Sequence, residues 1–161
     1  MRKVIVNSTP LIALSKVGRL GLLKQMYGEV YIPDAVFQEV TKKNDRVKEE
    51  LIKSAWIHIE TVKNDRNRRM YSAKLHAGEV EVMMLALESD ADSLVVIDDY
   101  AARKTADFLG LNLTGTIGML IKAKMQGMID YVMPIVEEME LQGIYYSNSL
   151  KELIKTVSGE K

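Results

Sequence analysis

Two short apolar, largely β-branched runs, each broken off at an oxygen-bearing side chain and followed at once by a helix signal, constrain this chain most. The first is Lys3-Val4-Ile5-Val6, stopping at Asn7, and the second is Leu94-Val95-Val96-Ile97, stopping at Asp98-Asp99. A continuous apolar run of this length, without polar alternation, reads as a strand covered on both faces, as in a parallel sheet. After the first run, Ser8-Thr9-Pro10 predicts a helix with Thr9 as N-cap and Pro10 as its first residue. After the second, the helix is expected to run to about Leu109 and to end at Gly110, glycine being the residue that tolerates the left-handed C-terminal turn.

The remaining elements follow the same order. Leu20, Leu22, Leu23 and Met26 predict a helical segment closing near Tyr27-Gly28, and Val30-Tyr31-Ile32 a very short strand. Pro33-Asp34 opens a helix whose Val36, Phe37 and Val40 leave Glu39 on the same turn, and Arg46–Ser54 reads as a charged surface helix. Trp56-Ile57-His58-Ile59-Glu60 alternates as a half-buried strand does. Val80, Met83, Met84 and Leu87 recur at the spacing of one helix face, in a helix entered at Gly78-Glu79. Leu111–Thr114 reads as a strand and Thr114-Gly115-Thr116 as the lead into a helix to Gly127. Two more helices are expected, Asp130–Gln142 and Ser149–Val157, the latter with a Ser149-x-x-Glu152 capping box. Strands alternating with helices imply an α/β domain with a mainly parallel sheet. Right-handed crossovers align the strand carboxyl ends along one edge, where ligands bind.

Composition narrows the chemistry. A chain of 161 residues with 47% hydrophobic side chains fits one domain, 1–161, with additional C-terminal helices from about 130. The absence of cysteine excludes disulfides, thiolate zinc, iron–sulfur clusters and a thiol nucleophile, so any metal is held by oxygen or imidazole. The opening apolar run is too short for a signal peptide and no stretch approaches about 18 unbroken apolar residues. The expectation is a soluble, cytoplasmic protein with no membrane contact. Lys+Arg and Asp+Glu balance at 22 each, but unevenly: Lys42–Lys74 is net basic, whereas Glu79–Asp99 carries only acids. Solvated helix faces account for such runs. So does an acidic centre beside a basic surface, the arrangement a metal-dependent enzyme acting on a polyanion requires.

Acids beside apolar runs, where a surface charge is misplaced, define the candidate site: Glu39, Glu79 and Asp98, with Asn7 at the first strand end and Asp99 in reserve. Mg²⁺ or Mn²⁺ takes oxygen ligands, commonly one or two carboxylates plus water and substrate phosphate. Singly, each residue has a plainer role: Glu39 and Glu79 on solvent, Glu79 against a helix N-terminus, Asp98 or Asp99 as a cap. His76 near Glu79 and His58 on the outer phase of a strand read as incidental. Gly115-x-x-Gly118 lacks the lysine of a phosphate-binding loop. The methionines, Met83-Met84 among them, read as core filler.

Taken in order, the segments resemble the PIN-domain family, in particular its small prokaryotic, VapC-like branch of toxins. They are Asn7-Ser8-Thr9-Pro10-Leu11-Ile12, Val30–Val40, Leu75-His76-Ala77-Gly78-Glu79-Val80-Glu81, Val95–Arg103 and Thr114-Gly115-Thr116-Ile117-Gly118. The resemblance implies a three-layer α/β/α, PIN-like (Rossmann-like) domain with a mainly parallel central sheet. It implies a Mg²⁺- or Mn²⁺-dependent endoribonuclease, with RNA as substrate, an antitoxin protein as partner and a homodimer as assembly. Carried over by position, the family's four metal-binding acids fall on Asn7, Glu39, Glu79 and Asp98, with Asp99 adjacent to the last. Glu39, Glu79 and Asp98 would be the catalytic acids. Glu79 stands where many members have Asp, and Asn7 departs further, since an amide oxygen brings no charge. By the same resemblance Ser8 and Thr9 would orient a metal-bound water, while Thr116 and Arg103 would support the site or meet phosphate. Lys104 could meet the nucleic-acid backbone beside Arg103. The alternative is a catalytically impaired PIN-like module that binds RNA or protein, for which Asn7 is the motive. A Rossmann-like nucleotide-binding protein lacks its glycine-rich fingerprint here.

Overall fold

The structure, a computed structural model, describes residues 2–64, 68 and 75–161. Part of the basic stretch, including Asp65, Arg66, Arg69 and Lys74, lies outside the described residues. Strands β1 (Val4–Val6), β2 (Val30–Pro33), β3 (Ile57–Glu60), β4 (Leu94–Val96) and β5 (Asn112–Thr114) form a sheet in the order β3-β2-β1-β4-β5. Every pairing among the described residues is parallel, with Ile5 opposite both Tyr31 and Val95. The two runs that open the sequence argument are the two central strands, β1 and β4, and all their residues are buried. Covering such a side chain contributes roughly 1.5–3 kcal/mol, which is why the apolar runs are continuous here and are interrupted by polar residues in the edge strands β3 and β5.

The helices with described bounds are α1 (Ser8–Lys16), α2 (Gly21–Tyr27), α3 (Asp34–Thr41), α4 (Arg46–Lys53), α5 (Ala77–Glu88), α6 (Tyr100–Phe108), α7 (Thr116–Met125), α8 (Met133–Leu141) and α9 (Asn148–Ser158). They cover both faces of the sheet, giving a three-layer α/β/α architecture. No helix among the described residues is long and apolar enough to cross a membrane.

Four local expectations are corrected. The N-cap of α1 is Asn7, not Thr9, and Pro10 is the third helical residue. Nothing is lost, because the first turn's N–H groups have no intrahelical partner. Helix α8 begins at Met133 rather than Asp130, and Val132 and Met133 give their N–H groups to Glu160. Helix α9 is capped by Ser147, whose hydroxyl accepts from Leu150 N–H at 3.1 Å, so the Ser149-x-x-Glu152 box is not used. The spacing in α5 suggested one apolar stripe, yet Val80, Val82, Met83, Met84, Leu85 and Ala86 are all buried and Leu87 is 46% exposed. This helix packs against β1, β2, β4 and α3 together, and a helix covered on most sides is apolar on most sides.

Candidate active site

The chain leaves the central strand pair in opposite directions, β1 leading to β2 and β3, β4 leading to β5. The crevice at the carboxyl ends of such a pair is where open α/β sheets bind ligands. Asn7 N–H extends the ladder by donating to Val96 C=O at 2.9 Å, and Ile97 N–H does the same to Thr114 C=O at 2.9 Å. The ladder therefore delivers Asn7 and Asp98 side by side at the sheet edge.

Two helices bring the other acids. Glu39 lies in the last turns of α3 and Glu79 in the first turn of α5, and the two helices pack together. Gly78 makes that packing close: a Cβ there would lie 2.9 Å from Glu39 Oε2 and 3.6 Å from Asn7 Oδ1. The result is a cleft of about 340 Å³ lined by Asn7, Ser8, Thr9, Glu39, His76, Glu79, Asp98 and Asp99, with no Lys or Arg in its lining among the described residues. The acids picked from sequence thus meet in one place although they are spread over some sixty residues of chain.

Each carboxylate is braced. Ser8 Oγ donates to Glu39 Oε2 at 2.9 Å, and His76 N–H donates to Glu79 Oε1 at 2.9 Å. Thr116 donates twice to Asp98, N–H to Oδ1 at 2.7 Å and hydroxyl to Oδ2 at 2.6 Å. Asp99 caps α6, accepting from Ala102 N–H at 3.0 Å. Burial pushes the Glu79 carboxyl above its ordinary range; the His76 N–H opposes this, and the charges of Asp99 and Glu39 reinforce it.

The other sequence candidates fall around the cleft. Thr9 is exposed on its rim, whereas Thr116 is fully buried with both donors turned to Asp98, so neither donor is left for a phosphate. Arg103 lies outside the cleft lining; its Nη1 donates to Ile97 C=O at 3.2 Å, and it borders a neighbouring groove with Asp98. Lys104 is exposed, its Nζ 5.8 Å from the Tyr100 ring centre. His76 lines the cleft, while His58 is across the sheet edge, stacked on Tyr31 and beside Glu29. Sequence reasoning passed over Gly78 and the tyrosines of the groove. A lone glycine after alanine carries no local signal, and Tyr145-Tyr146 sits in an irregular segment without periodicity.

A family model described as PIN domain matches residues 3–160. The chain belongs to the PIN domain family. No curated protein sequence matches it. Its parallel sheet and flanking helices are the PIN-like α/β/α fold that the segment order implied, a fold of nuclease type, and PIN domains are in general dependent on divalent metal.

Whether this PIN domain's own residues suit such an ion is a question of donors. Among the described residues no group of three His, Asp or Glu side chains is gathered tightly enough to hold a cation. Asn7 Oδ1 is different: it is buried and accepts no hydrogen bond among the described residues. A buried acceptor with no donor costs about 1–3 kcal/mol unless something meets it. With four carboxylates around it, the oxygen donor set fits a hard divalent ion held by one or two protein carboxylates, the amide and water, and not an all-protein cage.

Proposed function

We propose that this PIN domain is a Mg²⁺- or Mn²⁺-dependent endoribonuclease. One observation carries the proposal: Asn7, Glu39, Glu79, Asp98 and Asp99 line a single cleft at the switch point of the sheet. Four carboxylates with no basic neighbour in the lining among the described residues repel one another and attract a cation.

A bound divalent ion supplies an acidified water and positive charge for a scissile phosphate. The chain's own residues do the rest. Glu39, Asp98 and the Asn7 amide would hold the ion, Glu79 and Asp99 supplying further charge. Ser8 keeps Glu39 turned into the cleft, and Thr116 fixes the Asp98 carboxylate from behind, so both are positioned before substrate arrives. Thr9, exposed on the rim, is placed to orient a water. A toxin restrained by an antitoxin and assembled as a homodimer is the setting we propose for this activity. An antitoxin reading frame beside the gene supports that setting, and its absence removes it.

The test is calorimetric titration with Mn²⁺ and Mg²⁺ alongside RNA cleavage. Wild type should bind and cut, and Glu39→Ala and Asp98→Ala should lose at least a hundredfold in rate. Cleavage unchanged in both variants would falsify the proposal. The second reading, a PIN module that binds without cutting, is favoured by the uncharged Asn7. It predicts that only Asn7→Asp binds metal and cleaves.

A further inference from the structure

Beside the acidic cleft lies a larger groove of about 700 Å³ that shares Thr9 and Asp98 with it. The two are continuous, but their chemistry differs. Among the residues that line the groove are Gly115, Gly118, Tyr100, Tyr145, Tyr146 and Arg103. Gly115 is what lets Arg103 and Asp98 approach: a Cβ there would lie 2.6 Å from Arg103 Nη1 and 2.8 Å from Asp98 Oδ1.

Tyr100 is 75% exposed and Tyr145 82% exposed, an unusual outlay of aromatic surface in a chain with 6% aromatics. Arg103 donates one hydrogen bond among the described residues, to Ile97 C=O, which leaves most of its five donors open. Lys104 adds a second cation beside the Tyr100 ring. Flat rings and cations next to an acidic, cation-seeking cleft suit a ligand that alternates flat bases with phosphates. A single strand has that character, whereas a duplex keeps its bases stacked inside.

We propose that this groove is a nucleobase subsite, which takes an unpaired base of a single-stranded nucleic acid through Tyr145 and Tyr100 while Arg103 meets the adjoining phosphate. The proposal rests on the ribonuclease reading for the direction of the strand: the next phosphate enters the cleft across Thr9 and Asp98. Tyr146 closes the inner end, with its hydroxyl 3.5 Å from Met139 Sδ. Burial, then Asp98 and Glu140, push that phenol up to about 12, so the inner end of the groove carries no charge of its own.

The test measures binding apart from turnover. Fluorescence anisotropy with a short fluorescein-labelled oligouridine, in Ca²⁺ and with the probe checked intact, is compared for wild type, Tyr145→Ala, Tyr145→Phe and Tyr100→Ala. Circular dichroism confirms that the variants are folded, which the exposure of both side chains favours. Tyr145→Ala should weaken binding at least fivefold and Tyr145→Phe should restore it, since stacking needs the ring and not the hydroxyl. A set of probes each with one abasic ribose should bind wild type more weakly at one strand position, with no added loss in Tyr145→Ala. Equal affinities across the variants would overturn the subsite. Equal affinities together with a dimer that Tyr145→Ala dissociates in sedimentation would overturn it in favour of a second copy of the chain. Tyrosine-dependent binding without Mn²⁺-dependent cleavage keeps the subsite and removes the nuclease. Cleavage with a KM indifferent to Tyr145 does the reverse.

Discussion

An amide at position 7 offers a cation an oxygen without a charge, in a cleft that already holds Glu39, Glu79, Asp98 and Asp99. Replacing it with aspartate adds a fifth carboxylate at a site that is 4% exposed. Without metal, Asn7→Asp should therefore lower stability by about 1–3 kcal/mol through burial and like-charge repulsion. With Mn²⁺ the loss should reverse, because a ligand that binds only the folded state stabilises it by mass action. Thermal melts with and without Mn²⁺ check both signs. Gly78 makes a complementary prediction. The Cβ of Gly78→Ala would press on Glu39 Oε2, so the variant should stay folded at a cost of about 1–3 kcal/mol while losing Mn²⁺ affinity on the calorimeter. The identity of Glu39, Glu79 and Asp98 as candidates was legible from acids lying beside apolar runs. Gly78 was not, because the carboxylate it makes room for comes from a helix some forty residues earlier.

At the scale of elements, the cleft is built from ends: two strand ends, the last turns of α3 and the first turns of α5 and α6. Asp99 shows how one residue at such an end serves twice, capping α6 while lining the cleft. The two roles separate by substitution. Asp99→Ala should cost about 0.5–2 kcal/mol from the lost cap, whereas Asp99→Asn should recover most of that stability and still weaken metal binding. Chemical denaturation set beside metal titration reads the two effects independently. Strand and helix identities were largely legible at this scale, since continuous apolar runs and glycine stops are local signals. The choice between Asn7 and Thr9 as the α1 cap, or Ser147 and Ser149 for α9, was not. Several capping residues stand in a row in each case, and the tertiary path of the chain picks among them.

Across the whole molecule, Glu160 ties three parts of the fold together. It accepts from Val132 N–H at 2.8 Å and Met133 N–H at 2.9 Å at the start of α8, and from Lys124 Nζ of α7 at 2.9 Å. Burial opposes the charge of this carboxyl, but these donors outweigh it and hold the group down to about 2 against an ordinary 4.5. Because the folded value is depressed, the stabilisation is present above 4.5 and is lost as pH falls from there through 2. Glu160→Gln should therefore melt below wild type at neutral pH, and the gap should close as the medium is acidified through that window. A gap independent of pH would show that the charge contributes nothing.

The linear chain was enough to specify an α/β architecture with a mainly parallel sheet and buried strands at β1 and β4, and to mark Asn7 and Asp98 as the polar ends of those strands. Both follow from nearest-neighbour chemistry: an apolar run must be covered, and the first oxygen after it marks where covering stops. Periodicity misjudged α5, because how many sides of a helix are covered depends on elements remote in sequence. The meeting of Glu39 and Glu79 with those strand ends, the bracing of Asp98 by Thr116 and the tyrosine-sided groove were settled only by the packed fold. These contacts join segments separated by tens of residues, and their geometry is set by sheet order and helix packing, which no local pattern encodes.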